Sequence, residues 1–148
     1  MNPANPNFAA EVRKSFARQS LMRLIGANLS LVEPGVVEIT LPYRADLTQQ
    51  NGYVHAGIVT AIADTASGYA AFTLMPAGSA VLSVEFKVNL LRPAAGEAFR
   101  ARAEVIKPGK TLTVVRADVL ALNGNKQPLV ATMQGTMICL PTGSEARP

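Results

Sequence analysis

The chain contains no tryptophan, one cysteine and one histidine, and aromatic residues fill only 5% of its positions. Each scarcity removes a class of function. Cys139 alone cannot close an intrachain disulfide, so nothing points to an oxidising compartment. His55, without carboxylates at ligand spacing, does not make a zinc site, and no bound metal is expected. Charged residues make up 16% and the formal net charge is +4, yet the Lys and Arg residues never cluster into a run of five. That scatter, with so few aromatics, argues against a nucleic-acid reader and fits an anionic small molecule better. A phosphate-cradling glycine loop is missing. The opening "MNPANPNFAAEVRKSF" has no basic segment followed by an apolar core and is not read as a secretory leader.

Apolar residues, by contrast, are plentiful at 49% of 148 positions. A chain of this size makes one ordinary domain and buries about two-thirds of its unfolded surface. The longest apolar stretch, Ala56 to Met75, invites a membrane reading. Asp64 sits at its centre, with Thr60, Thr65, Ser67 and Thr73 around it. A central aspartate alone costs about 2.5–3.5 kcal/mol on insertion. The stretch is therefore expected to be a core helix of a soluble, cytoplasmic protein.

Residues 1–7, with Pro3 and Pro6, read as a loose lead-in. "FAAEVRKSFARQSLMRLI" spaces Phe8, Val12 and Phe16 four apart, with Arg13, Lys14, Arg18 and Arg23 elsewhere: one amphipathic helix whose basic face is expected to be solvated. Gly26 and "EPG" at Glu33–Gly35 bracket a hairpin of "ANLSLV" and "VVEITLP". Beyond the long helix, "AVLSVEFKVNLLRP" alternates, with Leu82, Val84, Phe86, Val88 and Leu90 on one face and Ser83, Glu85, Lys87 and Asn89 on the other. "EAFRARAEVIK" puts Phe99, Ala101, Ala103 and Val105 on one face. "TLTVVRADVLAL" and "QPLVATMQGTMICL" complete a four-stranded meander, and "PTGSEARP" reads as a frayed tail. With no repeat and no linker, residues 1–148 form one α+β domain with its core at about 26–140: an antiparallel sheet covered by one long helix. Such a helix, about 30 Å long, is apolar all round and needs cover on its far side too.

Asp64 is the anomaly in that helix. As a structural residue it would satisfy itself on a neighbour such as Thr60, although Ala would fit there without the cost of burying a carboxylate. As a functional residue it faces a pocket as base or nucleophile, and this is the favoured reading. The helix start offers a complement. "NGYVHAG" sets Gly52, Ala56 and Gly57 where free N–H groups and the positive dipole end favour a developing oxyanion. Asp64, however, lies about 10–12 Å further along the axis. His55 fails as its intrachain partner too, since nine residues at about 100° each put the two on opposite sides. If both features serve one reaction, they come from two chains with helices side by side and antiparallel.

Gln49, Asn51, Gly52 and "HAGIVTAIADTA" together resemble the hotdog-fold acyl-CoA thioesterases, in particular the phenylacetate-degradation (PaaI-like) branch. Their signature is a polar Asn or Gln, a Gly, H-G-G at a helix start, and an Asp or Glu within the helix. The resemblance spans about Gly26 to Leu140. It implies a hotdog fold, an antiparallel sheet wrapped around one long central helix, here with an N-terminal amphipathic helix outside it. It implies that Asp64 activates water or attacks the thioester carbonyl, and that Gln49 orients water or the carbonyl. The N–H of Ala56, where the family has Gly, would polarise the carbonyl. His55 matches the family His, whose part is more positional than chemical, and Ser83 matches a supporting Ser. The family pattern further implies a homodimer with two shared sites, pairing into a dimer of dimers. Basic residues at the dimer rim would meet the phosphates of coenzyme A. Candidates are Arg92 and the turn of Lys107, Gly109, Lys110 and Thr111, although solvated turn lysines are an equal reading.

The expected activity is hydrolysis of an acyl-CoA thioester without a cofactor, coenzyme A being part of the substrate. The acyl group would pass Tyr53, Val54, Ile58 and Thr65, with Asn51, Gly57, Gly68 and Ser83 also in contact. One rival is a hotdog hydratase or dehydratase, in which His55 and Asp64 meet across the dimer. Another is a non-catalytic acyl-CoA sensor, in which Asp64 is structural.

Overall fold

The computed structural model describes residues 1–141. Two short helices, α1 (Phe8–Ala17) and α2 (Ser20–Ile25), precede strands β1 (Asn28–Glu33) and β2 (Val36–Pro42). A 3-10 turn at Ala45–Leu47 leads to α3 (Ala56–Phe72). Strands β3 (Ala80–Leu90), β4 (Ala98–Lys107), β5 (Leu112–Leu122) and β6 (Leu129–Leu140) follow. The tail expected to fray begins at Pro141, and its remainder lies outside the described residues.

The single amphipathic helix expected over residues 8–25 is two helices. Gln19 takes extended backbone, with ψ 104°, and Ser20 starts a new helix. On one straight helix Val12 and Met22 would point about 80° apart; the break lets Val12 of α1, and Met22 and Ile25 of α2, all be buried. The lead-in is not loose either. Asn5 is buried, and its Oδ1 accepts the Asn7 N–H at 2.9 Å.

All six strands pair antiparallel, in the order β1-β2-β4-β5-β6-β3. The last three strands form a meander, but β3 does not extend it beside β4. Pairing of β2 with β4, from Val36 opposite Glu104 to Pro42 opposite Ala98, fills the edge that β3 would need. β3 pairs with β6 instead and becomes an edge strand of the sheet.

α3 packs on β2 through β6, burying Val59, Ile62, Ala63, Ala66, Ser67, Tyr69, Ala70 and Ala71. Its run of alanines lets the sheet curl closely around it, and Ile62 and Val59 each stabilise the core by about 1.5–3 kcal/mol. The helix stops at Phe72 rather than Met75. Thr73 donates to the Ala70 carbonyl and accepts the Gly35 N–H, both at 2.7 Å, tying the helix end to the β1–β2 turn. Pro76 follows shortly and cannot continue a helix. Among the described residues no helix is long and apolar enough to cross a membrane.

The far side of α3 is only half-covered. Ile58, Ala61, Asp64, Thr65, Gly68 and Phe72 are half-buried, so Asp64 is not enclosed in the core as its apolar neighbourhood suggested. The ion pairs lie elsewhere. Arg102 with Glu38 and Arg116 with Asp118, at 2.7 and 2.8 Å, join strands or neighbours on the opposite face of the sheet.

Candidate active site

Strict alternation would place Ser83 on the polar side of β3 with Glu85, Lys87 and Asn89. The structure puts it on the other side. Ser83 pairs with Met137 and Glu85 with Thr136, so Val84 is an extra residue, a β-bulge. Before the bulge Ser83 shares the inner face with buried Met137; after it, Phe86, Val88 and Leu90 share that face with Gly135, Met133 and Ala131. Leu82, opposite Ile138, turns outward with Glu85 and Lys87. The bulge re-aims Ser83 at α3, where its hydroxyl donates to Asp64 Oδ1 at 2.6 Å. Ser83 Oγ also lies 3.4 Å from Met137 Sδ.

Asp64, Thr65, Gly68 and Ser83 line one cavity of about 700 Å³, bounded by α3, β3, α1 and α2. A Cβ built on Gly68 would meet no atom within 4 Å, so no packing inside the chain demands glycine there. The cavity is therefore open along the polar side of α3.

The loop before α3 forms a second assembly. Gly52, at φ +82°, donates its N–H to the Gln49 carbonyl at 3.0 Å, a turn geometry that favours glycine. The Gln49 side-chain oxygen accepts the Asn51 N–H, and among the described residues its amide nitrogen has no acceptor. Backbone bonds from His55 to Leu47 and from Val54 to Ala94, 2.9 and 3.1 Å, hold the loop in place. His55 caps α3: its Nδ1 accepts the Gly57 N–H at 2.8 Å, and its carbonyl accepts from Ile58 and Val59. Among the described residues only the Ala56 N–H of this first turn has no intrachain acceptor. Ala56 lines a second cavity of about 470 Å³, together with Gln49, Asn51, Tyr53, Val54 and Arg92.

Within one chain, then, the expected site residues fall into separate groups. Asp64, Ser83, Thr65 and Gly68 share one cavity, and Gln49, Asn51, Tyr53, Val54, Ala56 and Arg92 share the other. Arg92 Nη1 donates to the Leu129 carbonyl at 2.8 Å, so part of its guanidinium is already engaged. The Lys107–Thr111 turn joins neither group. It sits near Ile138 and Cys139 at one end of β6, whereas Arg92 follows Leu90, which pairs at the other end of β6. Gly109 has a structural reason there, because a Cβ would meet the Leu112 carbonyl. Among the described residues no group of three His, Cys, Asp or Glu lies together as metal ligands would. Sequence reasoning missed the contribution of α1, whose Glu11, Lys14 and Ser15 line the Asp64 cavity together with the C-cap Arg18. Their spacing was a visible signal, but a stripe of polar residues marks a solvated face equally well.

A six-stranded antiparallel sheet curled around one central helix, with an acid on the helix and a capped loop at its start, defines the hotdog fold. Comparison with known proteins carries the assignment further. The thioesterase superfamily model matches residues 51–127, and the chain belongs to that superfamily. A thioesterase family protein from Silicibacter pomeroyi is 52% identical, over 90% of this chain and 98% of its own, with a TM-score of 0.88. The PaaI protein of the E. coli phenylacetic acid degradation operon shares the fold at 21% identity, TM-score 0.84, over 94% of this chain and 97% of its own. A Staphylococcus aureus thioesterase enzyme, 25% identical over 82% of this chain and 98% of its own, TM-score 0.76, was solved as a variant lacking a glutamine. A second variant of that protein lacks a glutamate fifteen residues further on.

Proposed function

We propose that this protein hydrolyses acyl-CoA thioesters as a homodimer, each of its two sites combining Asp64 and Ser83 of one chain with Gln49 and Ala56 of the other. The observation that carries the reading is the division of the site. Asp64, held by the Ser83 hydroxyl, lines one cavity, and Ala56, whose N–H has no acceptor among the described residues, lines another. Neither half can hydrolyse a thioester alone, and the helix length between them bars an intrachain union.

The edge strand supports the same assembly. Phe86 and Leu90 point to the inner, helix-covered layer yet are 42% and 55% exposed. A second α3 lying antiparallel beside the first would cover that surface, and pairing of two β3 edges would satisfy their free backbone groups. Further pairing of dimers into tetramers belongs to the same proposal, as does a cytoplasmic setting.

In this site the thioester carbonyl accepts the Ala56 N–H at the positive end of α3, while the Gln49 amide orients water. Asp64, from the other chain, takes a proton from that water as its oxygen attacks the carbonyl carbon. The tetrahedral oxyanion collapses, the C–S bond breaks, and the leaving sulfur takes the proton from Asp64, giving free acid and coenzyme A. Direct attack by the carboxylate, with water then cleaving the anhydride, gives the same products. The S. aureus variants support the choice of residues, since Gln49 and Asp64 also stand fifteen positions apart. Arg92 of the chain that supplies Ala56, with Lys107 and Lys110 of the other, would flank the coenzyme A phosphates. His55 serves as a cap. Its Nδ1 lone pair is taken up by the Gly57 N–H, which argues against a role for that nitrogen as the base of hydration chemistry.

The test is thiol release from short, medium, long and aryl acyl-CoAs by wild type and Asp64→Asn. The variant is expected to lose about 10²–10⁴-fold in kcat. Equal turnover by both would overturn Asp64, and tight binding without turnover by wild type would turn the reading to a sensor.

A further inference from the structure

The cavity beside Asp64 extends beyond the reacting groups. Its volume of about 700 Å³ is that of a site for a sizeable ligand. The wall formed by α1 and its C-cap is made of Glu11, Lys14 and Ser15 with the capping Arg18, at i, i+3, i+4 and i+7, hence one stripe. The rest of the lining is mixed: Leu21, Phe72 and Val81 supply hydrocarbon, and Gln19, Thr65 and Ser79 supply polar groups.

The position of that wall is fixed. Tyr69 of α3 donates its hydroxyl to Ser15 Oγ at 3.1 Å and accepts from Gln19 Nε2 at 3.0 Å. Its ring also packs at a 60° tilt against Phe16, with 6.1 Å between centroids. The segment that carries Lys14 and Arg18 is therefore anchored to α3, while the two side chains themselves are exposed. Among the described residues neither is in an ion pair. Glu11 is the one carboxylate on that wall, so the wall is net positive.

We infer that the acyl groups this protein prefers end in a carboxylate, which Lys14 and Arg18 bind, with Leu21, Phe72 and Val81 offering hydrocarbon to the chain. The inference rests on the proposed reading of the Asp64 cavity as the acyl side of a thioesterase site. The coenzyme A side is the less suitable occupant, because Arg92 lies with Ala56 in the other cavity. Without the two cations an anionic end would be disfavoured in such a lining.

The experiment compares kcat/KM for pairs of equal chain length, adipoyl-CoA against hexanoyl-CoA and suberoyl-CoA against octanoyl-CoA, in the full-length protein. Wild type is expected to favour the dicarboxylic member. The ratio should fall about three- to tenfold in Lys14→Ala/Arg18→Ala, and invert in Lys14→Glu/Arg18→Glu. Because the readout is a ratio within each variant, a partly unfolded preparation does not mimic the result. A wild-type ratio below one would overturn the inference. So would variants that slow both members equally, since the cations would then be binding coenzyme A phosphates. Absence of thiol release from every member would remove the hydrolase reading itself, and this inference with it.

Discussion

Ser83 Oγ meets Asp64 Oδ1 at 2.6 Å, from an edge strand to the middle of a helix, and a single extra residue in β3 makes the contact possible. Without Val84 as a bulge, the alternation of the strand would turn Ser83 to the face where Glu85 meets Thr136. A strand defect thus sets the orientation of the acid.

Ser83 is accordingly a positioning residue. Ser83→Ala is expected to lower kcat about tenfold with KM nearly unchanged, since it removes one hydrogen bond to a charged group. Ser83→Thr, which keeps the hydroxyl, should recover most of the loss. A variant that raises KM alone, or that Thr fails to rescue, would assign Ser83 to packing against Met137 instead.

A shared site makes a specific demand on mixed assemblies. Asp64→Asn and Gln49→Ala should each be inactive, yet after unfolding and refolding together they should regain about a quarter of wild-type thiol release. Half of the dimers would then be mixed, each with one intact site. No recovery, with mixed dimers shown to form, would place both groups in one chain.

His55 should report on stability before activity. Removing its acceptor from the Gly57 N–H in His55→Ala is expected to cost about 0.5–2 kcal/mol in denaturant unfolding. His55→Asn or His55→Ser, which can cap in its place, should restore stability. Were stability to return without turnover, the imidazole would have a chemical part beyond capping.

Gly68 separates helix stability from cavity space. Gly68→Ala should stabilise the fold by about 0.5–1 kcal/mol, because a helix interior favours alanine and no atom stands in its way. Gly68→Leu should fill the cavity and lower kcat/KM selectively for long acyl groups while short ones still turn over. Uniform loss across chain lengths would place the acyl group elsewhere.

Much of this was legible in the sequence because it rests on local backbone physics. Period-two runs gave the faces of β4, where Phe99, Ala101 and Ala103 are all buried. Gly35, at φ +80°, sits in the expected hairpin turn. Asp64 stood out because a carboxylate is costly in an apolar helix, and the rise per residue alone separated it from Ala56.

What only the tertiary structure decided was non-local. The place of β3 beside β6 depends on β2 already occupying the edge of β4, a pairing set by chain closure rather than by any residue of β3. The bulge carries no local mark, since Val84 is as β-prone as its neighbours, yet it reverses the facing of Ser83. The break at Gln19 answers to what Val12, Met22 and Ile25 must reach. The polar stripe of α1 reads the same whether it meets water or a cavity, and packing through Tyr69 turned it toward Asp64. Periodicity specifies which side of an element is polar; only the neighbours it packs against determine what that side faces.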